Sequence, residues 1–169
     1  MSETSKCRQS LAPYCKGLGL DVGFGGDPIN ESAICVDLAQ PYTSLGNRQV
    51  QVAIKHPCEI EQVFRPYCLD YIYTSHLLED FSYMDNQLIM RSWQRLLKDG
   101  GFIVINCPDQ QVYLEFCRST GSGANTHHIE KDFSLDNYKA NCLHKSLKVF
   151  HENKLTNDYS FELVLQKAL

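Results

Sequence analysis

The sequence lacks a tract of basic residues and lacks any long apolar run. Its 16 Lys and Arg are outnumbered by 20 Asp and Glu, which gives a formal net charge of -4 at pH 7. Nucleic-acid-binding domains usually concentrate positive charge, so we do not expect nucleic acid as the main partner. The apolar stretches fall well short of the roughly 18 residues of a membrane-spanning helix, so we expect no membrane partner either.

Cysteine is present, but without the spacings of metal or redox motifs. The 8 Cys residues include no C-x-x-C pair and no zinc-type grouping with His, so we predict no metal site. Cys35 lies within an apolar run and Cys107 follows one, as buried thiols do. The polar stretch Met1–Ser10 has no apolar segment typical of a secretory signal. We therefore expect a cytoplasmic protein with free thiols.

The overall composition is that of an ordinary globular domain. The chain has 169 residues, of which 43% are hydrophobic and 21% are charged. A chain of this size can bury a core without disulfides or metals. We predict a single domain over residues 1–169.

Short apolar runs along the chain predict the strands of a sheet. Two longer alternating stretches close the sequence, and Asn157-Asp158 between them predicts a hairpin turn. The predicted strands are Leu18–Val22, Ile34–Val36, residues 50–54, Leu69–Tyr73, Phe102–Ile105, Leu147–Leu155 and Tyr159–Gln166.

Amphipathic stretches between these runs predict helices. Ser82 with Asp85 resembles a capping box, and Gly100 stands where a C-terminal cap would end that helix. Further helices are predicted after Asp109, ending before Gly121, after Ser134, and over Cys58–Phe64. Strands that alternate with helices predict an α/β fold, a doubly wound, mostly parallel sheet with a C-terminal antiparallel hairpin.

A glycine turn follows the first strand and indicates a ligand site. Gly23, Gly25 and Gly26 let the backbone approach a ligand closely at the carboxyl end of the sheet. Asp27-Pro28 then predicts the start of a short helix. Asp37 ends the second strand, where a carboxylate can accept both hydroxyls of a ribose. The pattern predicts a nucleotide-like ligand.

The details of this turn distinguish among nucleotides. Pro28 replaces the third glycine of the dinucleotide fingerprint, and Gly26–Ile34 is too short for the usual helix, which disfavours an NAD(P)-dependent oxidoreductase. No G-K-[ST] follows the glycines, so a Walker A loop is absent. S-adenosylmethionine, a nucleoside without a phosphate, is the remaining interpretation.

Three segments, in order, resemble the class I S-adenosylmethionine-dependent methyltransferases. Asp21-x-Gly23-x-Gly25 with Asp37 resembles their first two motifs. Leu69–Phe81 resembles the fourth-strand motif of small-molecule members, and Trp93–Gly101 resembles the helix and turn before the fifth strand. The resemblance covers roughly residues 15–110 and is closest to small uncharacterised methyltransferase-like proteins. It implies a Rossmann-like sheet of about seven strands.

The resemblance also implies roles for individual residues. Asp21 would organise the loop and face the methionine amino group, while Asp37 would hold the ribose hydroxyls and Leu38 would pack on the adenine. The remaining implied cofactor-binding residues are Gly23, Phe24, Gly25 and Gly26 beneath the methionine and ribose, and Thr74 and Ser75, with His76, near the sulfonium.

The sequence departs from the family pattern after the third strand. The family places an acid there, beside the adenine amino group, whereas Ile54–Cys58 contains no Asp or Glu. Glu79 and Asp80 are interpreted as the lead-in to the helix cap at Ser82. No N-P-P-Y follows the fourth strand, so methylation of an adenine or glutamine amino group is not expected.

His76 is the candidate catalytic base, because it ends the fourth strand at the rim of the predicted site. The alternative for His76 is a hydrogen bond to a loop carbonyl. His127 and His128 follow the Gly- and Ser-rich segment 119–125; they are second candidates or, alternatively, a solvated loop pair.

Two functions remain open at this stage. One is methyl transfer from S-adenosylmethionine to an O, N or C centre of a small-molecule or sugar-like acceptor. The other is a catalytically degenerate methyltransferase fold that acts as a binding or scaffold subunit. Because the chain is near the minimum for this fold, we expect the acceptor site to be open or to be completed by a homodimer or a partner subunit.

Overall fold

The computed structural model describes residues 2–168, which form one seven-stranded sheet flanked by helices. The strand order is β3-β2-β1-β4-β5-β7-β6, with β1 to β5 parallel and β7 antiparallel to both β5 and β6. This is the predicted Rossmann-like sheet with its closing hairpin, so the fold class is confirmed. The strands are β1 Gly19–Val22, β2 Ile34–Asp37, β3 Val52–Ala53, β4 Leu69–Ser75, β5 Leu97–Pro108, β6 Leu147–Thr156 and β7 Ser160–Lys167.

Within residues 2–168, five α-helices pack around the sheet. They are α1 Glu3–Leu11, α2 Ile60–Val63, α3 Tyr83–Leu96, α4 Gln110–Thr120 and α5 Leu135–Cys142. The described part of the chain also contains three short 3₁₀ turns, at Ala12–Tyr14, Pro57–Glu59 and Leu78–Asp80. No helix among residues 2–168 is long and apolar enough to cross a membrane.

The sheet buries apolar side chains on both faces because successive residues of a strand point to opposite sides. In β4, Ile72 joins the larger core cluster, in which Trp93 of α3 is fully buried. Its neighbours Tyr71 and Tyr73 point the other way and pack in a smaller cluster with Leu11 of α1. The β4 strand is therefore covered on both sides, as its nearly continuous apolar sequence predicts.

The predicted N-caps are confirmed at three helices. The Ser82 hydroxyl accepts from the Asp85 N–H at the start of α3. Asp109 and Ser134 accept in the same way at the starts of α4 and α5. The α4 helix ends at Gly121, which has a φ of 70°. Local side-chain hydrogen bonds therefore set these boundaries.

The predicted cap at Gly100 is wrong. The α3 helix ends at Leu96, and Leu97 is already extended and pairs with Leu69 of β4. Leu97 is fully buried, so the chain enters the sheet three residues earlier than the glycine suggests. Gly100, with a φ of 78°, lies instead where the register between β4 and β5 shifts.

The predicted helix after Asp27-Pro28 is also wrong, because residues 23–33 form turns. The Asp27 carboxylate does not cap; it pairs with Arg8 of α1 and accepts from the Ser2 hydroxyl. The sequence did not predict α1 at all. Its helix is mostly polar and buries only Thr4, Cys7 and Leu11.

Candidate functional site

A cavity of about 440 Å³ opens at the carboxyl ends of β1, β2 and β4. This is within the range typical of small-molecule sites. Parallel sheets bind ligands at this edge, where the strand order reverses between β1 and β4. The walls come from the glycine turn after β1, from residues 37–43, from residues 54–57, and from segments 76–81 and 127–129.

Asp37 brings a fixed carboxylate to the cavity wall. One oxygen accepts from the Leu38 N–H at 2.7 Å, and the other accepts from the Gly25 N–H at 3.2 Å. A carboxylate has about four acceptor positions, so acceptor capacity remains on both oxygens. Asp37 and the glycine turn are thus held together, and acceptor positions remain on the carboxylate; the predicted contact with ribose hydroxyls stays a prediction.

The glycine turn folds closely against the next loop. Gly23 and Gly25 line the cavity, whereas Phe24 is buried, and neither Phe24 nor Gly26 is among the lining residues. Gly26 has a φ of 88°, and a Cβ there would lie 2.6 Å from the Ser44 carbonyl oxygen. A side chain at this position would push the turn and the loop apart.

Asp21 is fully buried and does not line the cavity. Its carboxyl accepts from the Ile29 N–H at 2.7 Å, so it organises the loop that follows the glycine turn. Burial raises the pKa of Asp21 to about 8. The second oxygen has no hydrogen-bond partner within residues 2–168. The predicted contact between Asp21 and a methionine amino group stays a prediction.

Thr74 and Ser75 are buried and tie the strand ends together. The Thr74 hydroxyl donates to the Val22 carbonyl at 2.9 Å, and Ser75 Oγ accepts from Asn106 Nδ2 at 2.9 Å. Neither residue lines the cavity. Their hydrogen bonds hold the ends of β1, β4 and β5 together beside the cavity, and their predicted contacts with a cofactor stay a prediction.

His76 lines the cavity at the end of β4 and lies close to side chains from three other elements. Its Nε2 lies 3.1 Å from Ser160 Oγ of β7 and 3.5 Å from a carboxyl oxygen of Glu3 in α1. Its Nδ1 lies 3.6 Å from a carboxyl oxygen of Glu79. Burial lowers the pKa of His76 to about 4, so the ring is neutral at pH 7. These ring contacts are to side chains, whereas the alternative considered from the sequence was a hydrogen bond to a loop carbonyl.

The two adjacent histidines after the glycine-rich segment have different surroundings. His127 lines the cavity rim and stacks on Tyr42, with ring centroids 5.9 Å apart. The His128 side chain is only 3% exposed, and its Nδ1 lies 2.6 Å from the Gln110 amide oxygen. Its Nε2 lies 3.9 Å from Glu79, whose pKa burial raises to about 8. His127 is exposed on its loop, as the solvated alternative expects, whereas His128 is not, so a solvated pair describes only the first of the two.

The stretch after β3 reaches the cavity, as its position in the sequence predicts. Ile54, Lys55 and His56 line it, and no acid is among residues 54–58. The sequence interpretation missed Asp80, which lines the same cavity although it was assigned only to a helix lead-in. Within residues 2–168, no three His, Cys, Asp or Glu side chains are arranged to hold a metal ion.

Comparisons with known proteins identify the fold through solved structures. No protein-family model matches the chain, and no curated protein matches it. An S-adenosylmethionine-dependent methyltransferase from Archaeoglobus fulgidus matches with a TM-score of 0.70 at 15% identity, over 97% of this chain and 92% of that one. A putative S-adenosylmethionine-dependent methyltransferase from Listeria monocytogenes gives 0.63 at 13%, over 99% and 98%.

A third similar structure contains a partner. It is a complex between the Haloferax volcanii Trm112 methyltransferase activator and a putative methyltransferase, with a TM-score of 0.65 at 10% identity, over 99% of this chain and 89% of that one. The fold of this protein is thus the fold of the class I S-adenosylmethionine-dependent methyltransferases.

Proposed function

We propose that this protein binds S-adenosylmethionine in the cavity and transfers its methyl group to an O, N or C centre of a small-molecule or sugar-like acceptor. The position of Asp37 carries the proposal. It combines a carboxylate fixed by two backbone N–H groups, a glycine turn beside it, and a cavity at the switch point of the sheet. The fold of the structural neighbours supports the same assignment.

The residues on the wall fit such a cofactor. Asp37 would accept from the ribose hydroxyls, Gly23 and Gly25 would pass beneath the ligand, and Leu38 would pack on the base. When bound, the cofactor supplies a methyl group that is already activated on a sulfonium. The protein then needs chiefly to hold the acceptor in line, and positioning of this kind supplies about 7 to 11 kcal/mol.

His76 is the proposed base for an acceptor that must lose a proton. It stands on the cavity wall, and burial keeps its ring neutral by lowering its pKa to about 4. A neutral ring nitrogen can accept a proton, although a pKa this low makes His76 a weak base.

A catalytically degenerate scaffold is the second candidate function. It is favoured by the same weak basicity, together with the hydrogen bond that Ser160 makes to His76 Nε2. Because one structural neighbour is in complex with a methyltransferase activator, we include a partner subunit or a second copy of this chain in the proposal. The cytoplasmic location also stays a prediction.

Calorimetry with S-adenosylmethionine and S-adenosylhomocysteine tests the proposal. We expect binding in the micromolar range and its loss in Asp37→Ala, because the ribose hydroxyls lose their acceptor. The matched control is Asp99→Ala, an exposed carboxylate far along β5 from the cavity, which should bind as the parent does.

Thermal unfolding provides the second readout. A ligand at 100 times its Kd should stabilise the native state by about 2.7 kcal/mol. The absence of both binding heat and stabilisation at millimolar ligand would contradict the proposed function. Cofactor binding without transfer to any acceptor in a screen would favour the scaffold candidate.

A further inference from the structure

Two segments without helix or strand meet at the cavity. One follows β2 and contributes Pro41, Tyr42 and Thr43 to the wall, and the other precedes α5 and contributes His127 and Ile129. The rings of Tyr42 and His127 stack on each other, with centroids 5.9 Å apart and planes inclined by 14°. Among residues 2–168, no hydrogen bond or ion pair is recorded between the two segments. The stack therefore joins two walls of the cavity that no polar contact joins.

The stack itself is exposed to solvent. Tyr42 is 88% exposed, and His127 is exposed as well. Burial of apolar surface therefore contributes little to holding the two rings together. An aromatic pair of this kind favours its stacked arrangement about 2- to 10-fold. The two rings should thus be apart in roughly 10 to 30% of the molecules at any moment.

His127 lies between two anchored points of its segment. The Asn125 N–H donates to a tyrosine hydroxyl of α4 at 2.9 Å, and the Ile129 N–H donates to a carbonyl of the turn Leu78–Asp80 at 3.0 Å. The Gly- and Ser-rich segment 119–125 before it is exposed throughout. Backbone with few buried contacts opens locally at little cost in free energy. The His127 ring can therefore leave Tyr42 while the sheet and the helices stay intact.

We propose that the Tyr42–His127 stack is a gate through which S-adenosylmethionine enters the cavity and S-adenosylhomocysteine leaves it. The inference rests on the proposed function and adds the control of ligand exchange at that same site. A ligand passes only while the two rings are apart. Loop motions take nanoseconds to microseconds, so the gate opens and closes many times during one binding event. Both the association and the dissociation rate constants then scale with the open fraction, and the affinity does not change.

Surface plasmon resonance with S-adenosylhomocysteine and immobilised protein tests the gate. We expect Tyr42→Ala to raise both rate constants about 2- to 10-fold, because the gate is then always open, and to keep Kd within about twofold. His127→Ala should give the same result, because either change removes the same stack. Since Tyr42 is exposed, its truncation removes little buried surface and should not unfold the protein.

Three further variants separate the gate from other roles of these residues. Tyr42→Phe keeps the stacked ring, so both rate constants should stay at the parent values. The double variant Tyr42→Ala/His127→Ala should be no faster than either single variant, because the stack can be lost only once. His151→Ala removes a similar stack on Tyr14, with centroids 5.7 Å apart, and neither of those residues lines the cavity. It should leave both rate constants unchanged.

The outcomes distinguish the gate from the proposed function. Faster dissociation of Tyr42→Ala with an unchanged association rate constant would make Tyr42 an ordinary contact of the ligand and overturn the gate. Unchanged rate constants in both single variants would also overturn the gate, while cofactor binding stands. A parent protein that does not bind S-adenosylhomocysteine at millimolar concentration would overturn the proposed function and the gate together.

Discussion

At the residue scale, two buried carboxyls make stability depend on pH. Burial raises the pKa of Asp21 and that of Glu79 to about 8. An unfolded chain releases these protons near pH 4, so the folded state holds more protons between about pH 4 and 8. The contribution of these two carboxyls to the free energy of unfolding should therefore fall as pH rises through this window and level off above it.

Asp21→Asn should make this pH dependence shallower. The amide oxygen can still accept from the Ile29 N–H, but the side chain no longer carries an ionisable group at a fully buried position. Urea unfolding at pH 6, 7, 8 and 9 measures the slope. The variant should gain stability relative to the parent as pH rises, and Glu79 should maintain part of the slope. Equal slopes in the two proteins would contradict the assigned pKa of Asp21.

At the element scale, local signals predicted most boundaries, and long-range contacts explain the errors. Caps such as Ser82 and Asp109 act on N–H groups two or three residues away, so they can be recognised in the sequence. Asp27 looks like such a cap, but Arg8 and Ser2 of a distant segment engage its carboxylate. A single sequence does not reveal that competition.

The sequence also predicted part of the candidate site and missed part of it. The glycine turn and Asp37 were recognisable because a strand end, a turn and an acid follow one another along the chain. The α1 helix was not recognisable in the sequence, because few of its residues are buried and its composition is mostly polar. Asp80 was missed because its sequence context, just before Ser82, is typical of a helix start. Only the 3₁₀ turn Leu78–Asp80 brings it to the cavity.

Gly26→Ala should both destabilise the protein and weaken ligand binding. The new Cβ would lie 2.6 Å from the Ser44 carbonyl and 2.9 Å from Leu45 Cα, so the loop that carries Tyr42 and Thr43 must move. We expect a loss of about 1–3 kcal/mol in unfolding free energy, the range for a strained backbone. Urea unfolding and S-adenosylhomocysteine calorimetry measure the two effects.

Gly46→Ala is the matched control for this change. Gly46 also has a positive φ, of 56°, but a Cβ there would meet nothing within 4 Å. It should lose about 1–2 kcal/mol from backbone strain and keep its ligand affinity. Equal losses of affinity in both variants would show that the contact of the new Cβ with residues 44 and 45 does not cause the loss of ligand binding.

At the scale of the whole molecule, all 8 cysteines are free thiols. Six are buried, and only Cys58 and Cys68 are half-buried. In a thiol-reactive dye assay without reductant, the native protein should expose at most these two groups to rapid reaction, because burial protects the others. All eight should react in guanidinium. Fewer than eight in denaturant would reveal a disulfide and contradict the structure.

The position of α1 has a consequence for how the molecule forms. Residues at the start of the chain contact residues near its end: Ser10 donates to Glu162, and the Tyr159 hydroxyl donates to Glu3 at 2.9 Å. During synthesis, α1 therefore emerges well before β7, which its Ser10 side chain contacts. Contacts of such high sequence separation form late and slow folding. His76 can contact Ser160 only once β7 has been synthesised, so a nascent chain lacks this contact at the cavity wall until then.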